Sequence, residues 1–249
     1  MSEKEIAVVT GASSGIGAAT ARLLAKNGYH VIAAARRIER LRQLVDEDSN
    51  IEQFKLDITS QIDVDSLAKY LKGKSVSVLV NNAGGAFDSA TIVDSDPDVW
   101  RKTYEVNVIG TVRMIKAITP IMLAFGRGHI VIVSSTAGHR TYEFGGNYVA
   151  AKHAERTLAE TLRLELNGQP IRVTEIAPGM VKTEEFAKVR YGDVERAAKV
   201  YEGVAEPLLD VDIAETIRWS VMLPHHVNID SMLIRPVAQA QAHKVHRTK

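Results

Sequence analysis

Short runs of apolar and β-branched residues alternate with longer segments of helical periodicity along the chain. The runs are IAVVT at 6–10, HVIAAA at 30–35, VSVLV at 76–80, HIVIVSS at 129–135 and IRVTEIAP at 171–178. Runs of this kind, bounded by Gly, Asn or Pro, are typical of buried parallel strands. Because parallel neighbours need crossover connections, the order predicts a parallel sheet with helices on both faces. We expect an α/β fold with a single doubly wound domain over 1–249 and a central parallel sheet of about seven strands.

Composition excludes several classes of function. Lys and Arg total 31 against 30 for Asp and Glu, so the net charge of +1 creates no field that would recruit nucleic acid or a membrane. The absence of cysteine excludes disulfides and thiolate chemistry, and the eight histidines show no metal-ligand spacing. The sequence MSEKEIAVVTG does not resemble a signal peptide, and no run of ~20 apolar residues could span a bilayer. We expect a cytoplasmic protein whose partner is a small molecule.

A glycine-rich loop, TGASSGIG, follows the first apolar run. Gly11, Gly15 and Gly17 have the spacing G-x-x-x-G-x-G, and Ser13 and Ser14 add hydroxyl donors. A strand that turns into a helix here needs residues without Cβ, so that helix N-terminal amides can approach a pyrophosphate. Glycine also collects in ordinary turns, so the loop alone leaves both interpretations open. Its position in a βαβ unit favours dinucleotide binding.

The end of the second strand indicates which dinucleotide binds. An acidic side chain at this point would accept a hydrogen bond from the ribose 2′-hydroxyl of NAD. The sequence instead has Arg36 and Arg37, and guanidinium groups bind phosphate through bidentate, charge-assisted hydrogen bonds. This difference favours NADP, which carries a 2′-phosphate. The alternative is that the two arginines are the solvated start of a helix.

A tyrosine and a lysine stand four residues apart in the sequence YVAAK. Residues at this spacing lie on one face of a helix, so Tyr148 and Lys152 can both face a cleft. A phenol is a poor acid or base near neutrality, and a nearby ammonium favours the phenolate. Ser135, thirteen residues earlier, adds a hydroxyl that can hydrogen-bond to a substrate oxygen. The three groups suit the interconversion of an alcohol and a carbonyl, although such a pair also occurs by chance in many helices.

Six motifs occur in the order and at roughly the spacing found in the short-chain dehydrogenase/reductase family, which the chain resembles over nearly its whole length. They are TGASSGIG, NNAG at 81–84, EVNVIGT, SSTAG, YVAAK and PGMVKT at 178–183. The resemblance implies a Rossmann-type domain and a catalytic set of Asn107, Ser135, Tyr148 and Lys152. Tyr148 would be the acid/base and Lys152 would bind the nicotinamide ribose. Ser135 would orient the carbonyl, and Asn107 would hold a relay water, unless it merely kinks its helix.

The resemblance also implies how the cofactor is held. Asn81 and Ala83 would steady the fourth strand, and Asp57 would hydrogen-bond to the adenine, although Asp57 or Thr59 could instead start a helix. The implied cofactor-binding residues are Gly11, Ser13, Ser14, Gly15, Ile16, Gly17, Arg36, Arg37, Asp57, Ile58, Asn81, Ala83, Gly84, Tyr148, Lys152, Pro178, Gly179, Val181 and Thr183.

The latter third of the chain is similar to the NADP-dependent branch of the family that oxidises serine, allo-threonine and related 3-hydroxy acids. The carboxylate of such a substrate needs a cation, for which Arg190 is the first candidate and Arg140 the second, with Ser135 and Tyr148 at the reacting oxygen. Each arginine could equally lie on the surface. The alternatives are a reductase of another carbonyl, such as a 3-oxoacyl thioester or a xenobiotic ketone, and a catalytically silent dinucleotide-binding sensor.

The expected layout has a cofactor half at about 1–135, a catalytic and substrate half at about 136–236 and a polar tail at 237–249. The tail has no apolar period, so we expect it either to be disordered or to dock on a neighbouring subunit. The resemblance implies a homotetramer in which the helices carrying Asn107 and Tyr148 pack against their counterparts.

Overall fold

A computed structural model describes residues 4–183 and 185–248 of the chain. The strands are β1 (Ile6–Thr10), β2 (His30–Ala35), β3 (Ile51–Lys55), β4 (Val76–Asn81), β5 (Gly128–Val133), β6 (Ile171–Pro178), β7 (Val181–Lys182), β8 (Leu208–Leu209) and β9 (Ser231–Ile234). The α-helices are α1 (Gly15–Lys26), α2 (Ile38–Glu47), α3 (Gln61–Leu71), α4 (Pro97–Tyr104), α5 (Gly110–Phe125), α6 (Gly146–Glu165), α7 (Phe186–Tyr191), α8 (Val194–Lys199) and α9 (Asp210–Val221).

The central sheet has seven parallel strands in the order β3-β2-β1-β4-β5-β6-β9, which confirms the predicted doubly wound α/β fold. Val8 of β1 lies opposite Ile32 of β2 on one side and Leu79 of β4 on the other. The chain runs outward from β1 in one direction and from β4 in the other. The loops that follow these two strands therefore diverge and leave a crevice at the carboxyl edge of the sheet.

The two faces of the sheet each support a separate apolar core. Val9 of β1 packs in one core with Leu24 of α1 and Ile217 of α9, whereas Val8 packs in the other with Met114 of α5. Burial of such side chains contributes about 1.5–3 kcal/mol each. Because both faces are covered, the central strands are buried along nearly their whole length and consist mainly of apolar residues, which is why they were predictable as runs.

The edge strands differ from this pattern. β3 and β9 have sequences IEQFK and SMLI, in which polar and apolar residues mix, and both are partly exposed. Neither stands out as an apolar run because each has a neighbouring strand on one side only. Their pairing depends on the sheet that the other five strands build.

The longest helical stretch joins α4 to α5 through a π-helical turn at Glu105–Ile109. By length and composition alone, this stretch, Pro97–Phe125, could cross a membrane, but the core helix of a soluble protein passes the same test. One face, including Ile118 and Met122, packs in the core beneath the sheet. The apolar character of the stretch is thus explained in part by burial.

The polar tail folds back on its own chain up to residue 248. The Gln239 side chain accepts a hydrogen bond from the Met180 amide at 2.8 Å, and the Thr248 amide donates to the Gly203 carbonyl at 2.8 Å. Backbone groups rather than apolar side chains hold the tail, so its sequence shows no hydrophobic period.

Candidate active site

A cavity of about 930 Å³ lies at the carboxyl edge of the sheet, where the loops after β1 and β4 diverge. It brings together most of the residues expected from the sequence: Gly11, Ser13, Ser14, Gly15, Ile16, Arg36, Arg37, Asp57, Ile58, Ala83, Gly84, Ser135, Tyr148, Lys152, Pro178, Gly179, Val181, Thr183 and Arg190. Gly17, Asn81, Asn107 and Arg140 are not among the lining residues. The glycine-rich loop and the Tyr148–Lys152 pair therefore border the same cavity.

The glycine-rich loop turns tightly between β1 and α1. Gly11 and Gly15 have positive φ angles of 67° and 51°, which side chains other than glycine rarely adopt. A Cβ on Gly17 would lie 2.4 Å from the Gly11 carbonyl oxygen, so Gly17 allows α1 to begin directly against the loop. Gly17 shapes the loop without lining the cavity, and the loop presents the start of α1 to the cavity.

Asn82, which the sequence analysis did not single out, connects the loop after β4 to the end of β1. Its Nδ2 donates to the Thr10 carbonyl at 3.0 Å, and the amides of Asn82 and Ala83 donate to Thr10 Oγ1 at 3.0 Å. Asn81 ends β4 with its side chain buried, and its polar atoms have no partner among the residues described. Nothing in NNAG distinguishes the two amides, so the sequence did not reveal the contact that Asn82 makes with Thr10.

Arg37 lies beside the glycine-rich loop and pairs with the carboxylate of another side chain, Glu185. Its Nη2 donates to Ser13 Oγ at 2.9 Å, and its Nη1 donates to Glu185 Oε1 at 2.6 Å. Arg40 pairs with the same carboxylate, and hydrogen bonding to Arg37 lowers the pKa of Glu185. Arg36 is exposed and also lines the cavity. The guanidinium groups therefore form an anion-binding position at the end of β2.

Asp57 lines the cavity, but its carboxylate also organises the turn that follows β3. Its Oδ1 accepts from the Thr59 amide at 2.9 Å and from Thr59 Oγ1 at 2.7 Å. Helix α3 is capped by Ser60, whose side chain accepts from the Asp63 amide. Neither Asp57 nor Thr59 is the N-cap, contrary to the alternative drawn from the sequence.

Helix α6 carries Tyr148 and Lys152 on one face, as their spacing predicts. The Tyr148 ring is 7% exposed and packs edge-on against Phe186, with 5.5 Å between ring centroids. Lys152 Nζ lies 5.6 Å from the Tyr148 ring centroid, donates to the Val133 carbonyl at 3.1 Å and pairs with Glu155 at 2.6 Å. Burial lowers the pKa of Lys152, but attraction to Glu155 and Tyr148 outweighs burial and raises that pKa overall.

Ser135 and Asn107 hold the loops around this pair. Ser135 Oγ donates to the Pro178 carbonyl at 3.3 Å and accepts from the Ala137 amide at 3.1 Å, which joins the ends of β5 and β6. Asn107 lies in the π-helical turn, where its Nδ2 donates to the carbonyls of Gly85 at 2.8 Å and Thr103 at 2.7 Å. Asn107 is buried behind the cavity wall. Its side chain forms one hydrogen bond within its own helix and another to the loop after β4.

The two candidate carboxylate-binding arginines lie in different places. Arg190 of α7 lines the cavity, and its guanidinium donates to Tyr142 Oη at 3.2 Å and to the Phe144 carbonyl at 2.9 Å. Phe144 has a positive φ of 61°, which is strained for an aromatic residue. Arg140 is exposed and donates to the neighbouring His139 carbonyl at 2.9 Å, so the structure does not bring it to the cavity.

The site thus combines a glycine loop at the start of a helix with a phenol, an ammonium and a hydroxyl, and the last three can exchange a proton with an alcohol or carbonyl oxygen. Sequence reasoning missed Asn82, Glu185, Phe186 and Glu155. Glu155 could have been found from the sequence, because it stands one helical turn after Lys152.

Known proteins share this architecture over almost the whole chain. A family model described as short chain dehydrogenase matches residues 5–193. An uncharacterized oxidoreductase of Mycobacterium tuberculosis H37Rv is 47% identical, over 96% of this chain and 94% of that protein. The NADP-dependent 3-hydroxy acid dehydrogenase YdfG of Salmonella typhi is 38% identical, over 98% of this chain and 100% of that protein. The closed form of serine dehydrogenase complexed with NADP+ has a TM-score of 0.91 and 36% identity, over 98% of this chain and 100% of that one. The chain belongs to the short-chain dehydrogenase family.

Proposed function

We propose that the protein is an NADP-dependent oxidoreductase that interconverts a small 3-hydroxy acid, of the serine, allo-threonine or 3-hydroxyisobutyrate type, and its 3-oxo form. One observation carries the proposal: a single cavity is lined by the glycine loop and Arg37, by Tyr148 and Lys152, and by the cationic side chain of Arg190. The relatives named for 3-hydroxy acid and serine dehydrogenase activity support the substrate class.

The residues present fit NADP. A Cβ on Gly11 would clash with Ala83 and a Cβ on Gly17 with the Gly11 carbonyl, so glycine at both positions lets the loop turn tightly and present the N-terminus of α1 to a pyrophosphate. Arg37 already binds a carboxylate where the 2′-phosphate would be held, and Arg36 lines the same wall. Asp57 and Ile58 would border the adenine, and the backbone of 178–183 would border the nicotinamide. NADP supplies the acceptor for hydride when it is bound.

Side chains of this protein transfer the proton of the substrate's 3-hydroxyl. In the oxidation, Tyr148 takes the proton of the substrate's 3-hydroxyl as the C–H electron pair leaves with hydride, and it returns the proton in the reverse direction. Lys152 holds the ribose and favours the phenolate, while Ser135 orients the reacting oxygen. Asn107 holds a water that connects Lys152 to solvent. Arg190 binds the carboxylate through its guanidinium.

We also propose that the protein is a homotetramer built through α4, α5 and α6. This proposal is supported by apolar side chains that these helices expose, including Tyr104, Val112, Leu123 and Leu164. Apolar exposure of this kind is characteristic of association surfaces when it clusters.

The function is tested by adding purified protein to NADP or NAD with serine, allo-threonine or 3-hydroxyisobutyrate and measuring absorbance of the reduced cofactor. We expect turnover with NADP and a Kd for NADP well below that for NAD, since each charge-assisted hydrogen bond is worth ~1.5–3 kcal/mol. Replacing both Arg36 and Arg37 with Ala should remove this preference. Arg42→Ala, within the helix α2 that follows them, is the control and should retain the preference.

Two outcomes contradict the proposal. Strong discrimination against NAD in the double variant would show that the 2′-phosphate is held elsewhere. Turnover of an acyl thioester or a neutral ketone without any 3-hydroxy acid activity would favour the reductase alternative, for which the aromatic walls at Tyr142, Phe144 and Phe186 offer an apolar substrate surface.

A further inference from the structure

A buried carboxylate, which the proposed chemistry does not use, pairs with the ammonium of Lys152. Glu155 lies one turn further along α6, its side chain is 1% exposed, and its Oε2 is 2.6 Å from Lys152 Nζ. Glu155 does not line the cavity, so it lies behind the ammonium as seen from the substrate side. A carboxylate is very rarely buried to this extent unless it is paired.

Glu155 fixes the direction of the ammonium. The ammonium has three N–H donors, of which one is directed at the Val133 carbonyl at 3.1 Å and one is opposite Glu155. A Cβ on Gly84 would lie 3.5 Å from Nζ, so the wall next to the ammonium is backbone without a side chain. Lys152 is therefore anchored by its hydrogen bond to Val133 and by its ion pair with Glu155, whose Oε2 has no partner in hydrogen-bond geometry among the described residues. The ammonium keeps N–H donors for a ligand in the cavity.

The charges around Glu155 make it the counterion of Lys152. Glu175 of β6 is the other buried carboxylate nearby, but it accepts from Ser134 Oγ at 2.5 Å and Ser231 Oγ at 2.6 Å and contacts His139 Nε2 at 3.0 Å. The titratable groups that act on this part of α6 are thus Lys152, Tyr148, Glu175 and His139. Burial raises the pKa of Glu155 to about 7, with Glu175 adding to the rise and Lys152 opposing it.

We propose that Glu155 is a positioning residue that anchors the Lys152 ammonium and offsets its charge, and thereby sets the lowest pH at which Tyr148 acts as a base. The inference rests on the proposed dehydrogenase chemistry. While Glu155 is ionised, the ammonium is balanced and favours the phenolate less strongly. Once Glu155 is neutral, the full charge of Lys152 acts on the phenol.

The test compares the pH profile of kcat/KM for alcohol oxidation in wild type and Glu155→Gln. Removing the negative charge should move an acidic limb that lies above about pH 7, where Glu155 of the wild type is ionised, about one pH unit lower. Below about pH 7 the profiles of the two proteins should coincide. Glu155→Asp keeps the charge and should keep the limb near its wild-type position. Glu160→Gln is the matched control, since Glu160 lies on the same helix with its side chain 53% exposed and away from Lys152.

An unmoved limb in Glu155→Gln, with kcat/KM lower at every pH, would overturn the inference and leave Glu155 a purely structural partner. If this variant does not fold, Glu155→Ser, which leaves space for water at the ammonium, should show the same shift. Failure of wild type to oxidise any alcohol would instead contradict the proposed function.

A thermal measurement tests the charge independently of activity. The raised pKa of Glu155 means that its contribution to stability is present below its usual value of 4.5 and is lost as the pH rises to about 7. Glu155→Gln lacks this titration, so its Tm relative to wild type should increase from pH 4.5 to 7. A difference in Tm that stays constant over this range would contradict the change of charge at Glu155 near pH 7 on which the proposal depends.

Discussion

At the scale of single residues, packing holds the phenol of Tyr148 in place, and among the described residues its hydroxyl has no hydrogen-bond partner. The ring packs against Phe186, and the Lys152 ammonium lies above it at 5.6 Å from the ring centroid. Packing fixes the position of the ring, while the ammonium provides the charge. The two contributions can therefore be separated by substitution.

Tyr148→Phe removes the hydroxyl and keeps the ring in its packing site. We expect kcat to fall by at least ~10²-fold, the loss typical of a missing general acid or base, while NADP affinity stays nearly unchanged. Steady-state kinetics and a cofactor titration measure the two effects. Near-normal turnover in a folded Tyr148→Phe protein would refute Tyr148 as the acid/base.

Single residues were predictable where a local pattern carries the chemistry. The glycine spacing places Gly11 and Gly15 in the loop, and the helical spacing places Tyr148 beside Lys152. Glu185 could not be found in this way, because it meets Arg37 across 148 residues of chain. Asn82 was missed because the choice between two adjacent amides depends on which one faces Thr10.

At the scale of elements, α7 is connected to the loop before α6 by one side chain. Arg190 donates to Tyr142 and to the carbonyl of the strained residue Phe144, and its guanidinium lies 5.4 Å from the Tyr142 ring centroid. The same arginine is the candidate for binding the substrate carboxylate. Its removal therefore affects both the substrate and the position of α7.

Arg190→Ala should raise KM for serine or 3-hydroxyisobutyrate about 10- to 100-fold, because charged hydrogen bonds of ~1.5–3 kcal/mol are lost. KM for a neutral alcohol of similar size should change much less. Tyr142→Phe is the control, since it removes only the partner hydroxyl from the α7 contact. If the acid and the neutral alcohol respond alike to Arg190→Ala, the arginine positions α7 and the carboxylate is bound elsewhere.

The strands and helices that are most deeply buried were the ones that the sequence predicted best. Strands β1, β2 and β6 have the bounds that their apolar runs predict, and α1 is followed by Asn27 and Gly28 with a φ of 97°. The short helices α7 and α8 have no long apolar period, because they lie over the cavity and not over the sheet. The tail is likewise held by backbone hydrogen bonds that sequence does not reveal.

At the scale of the whole molecule, the helices on one face of the sheet retain apolar side chains that the monomer does not bury. Leu164 of α6 is 78% exposed, and Val112 and Leu123 of α5 are also exposed. The fold alone does not account for these residues, but the proposed tetramer would. Neither the charge nor the composition of the chain predicts this surface.

Mass measurement in solution at micromolar protein should give a tetramer. Leu164→Glu should shift the distribution toward smaller species, because a charge would be placed within an apolar interface. Ile62→Glu, at an equally exposed apolar position on α3, should leave the mass unchanged. A monomeric wild-type mass would contradict the assembly.

The strand order also determines when the sheet can close during synthesis. Strands β1 to β4 pair among themselves and are complete at residue 81, so half of the sheet can form early. β9 pairs with β6 only after residue 234 has been made, about 150 residues later and on the order of ten seconds at typical rates of translation. From the completion of β6 at residue 178 until residue 234 has been made, the outer edge of β6 has no partner strand. Association between nascent chains is therefore most favourable at β6, until the last strand covers that edge.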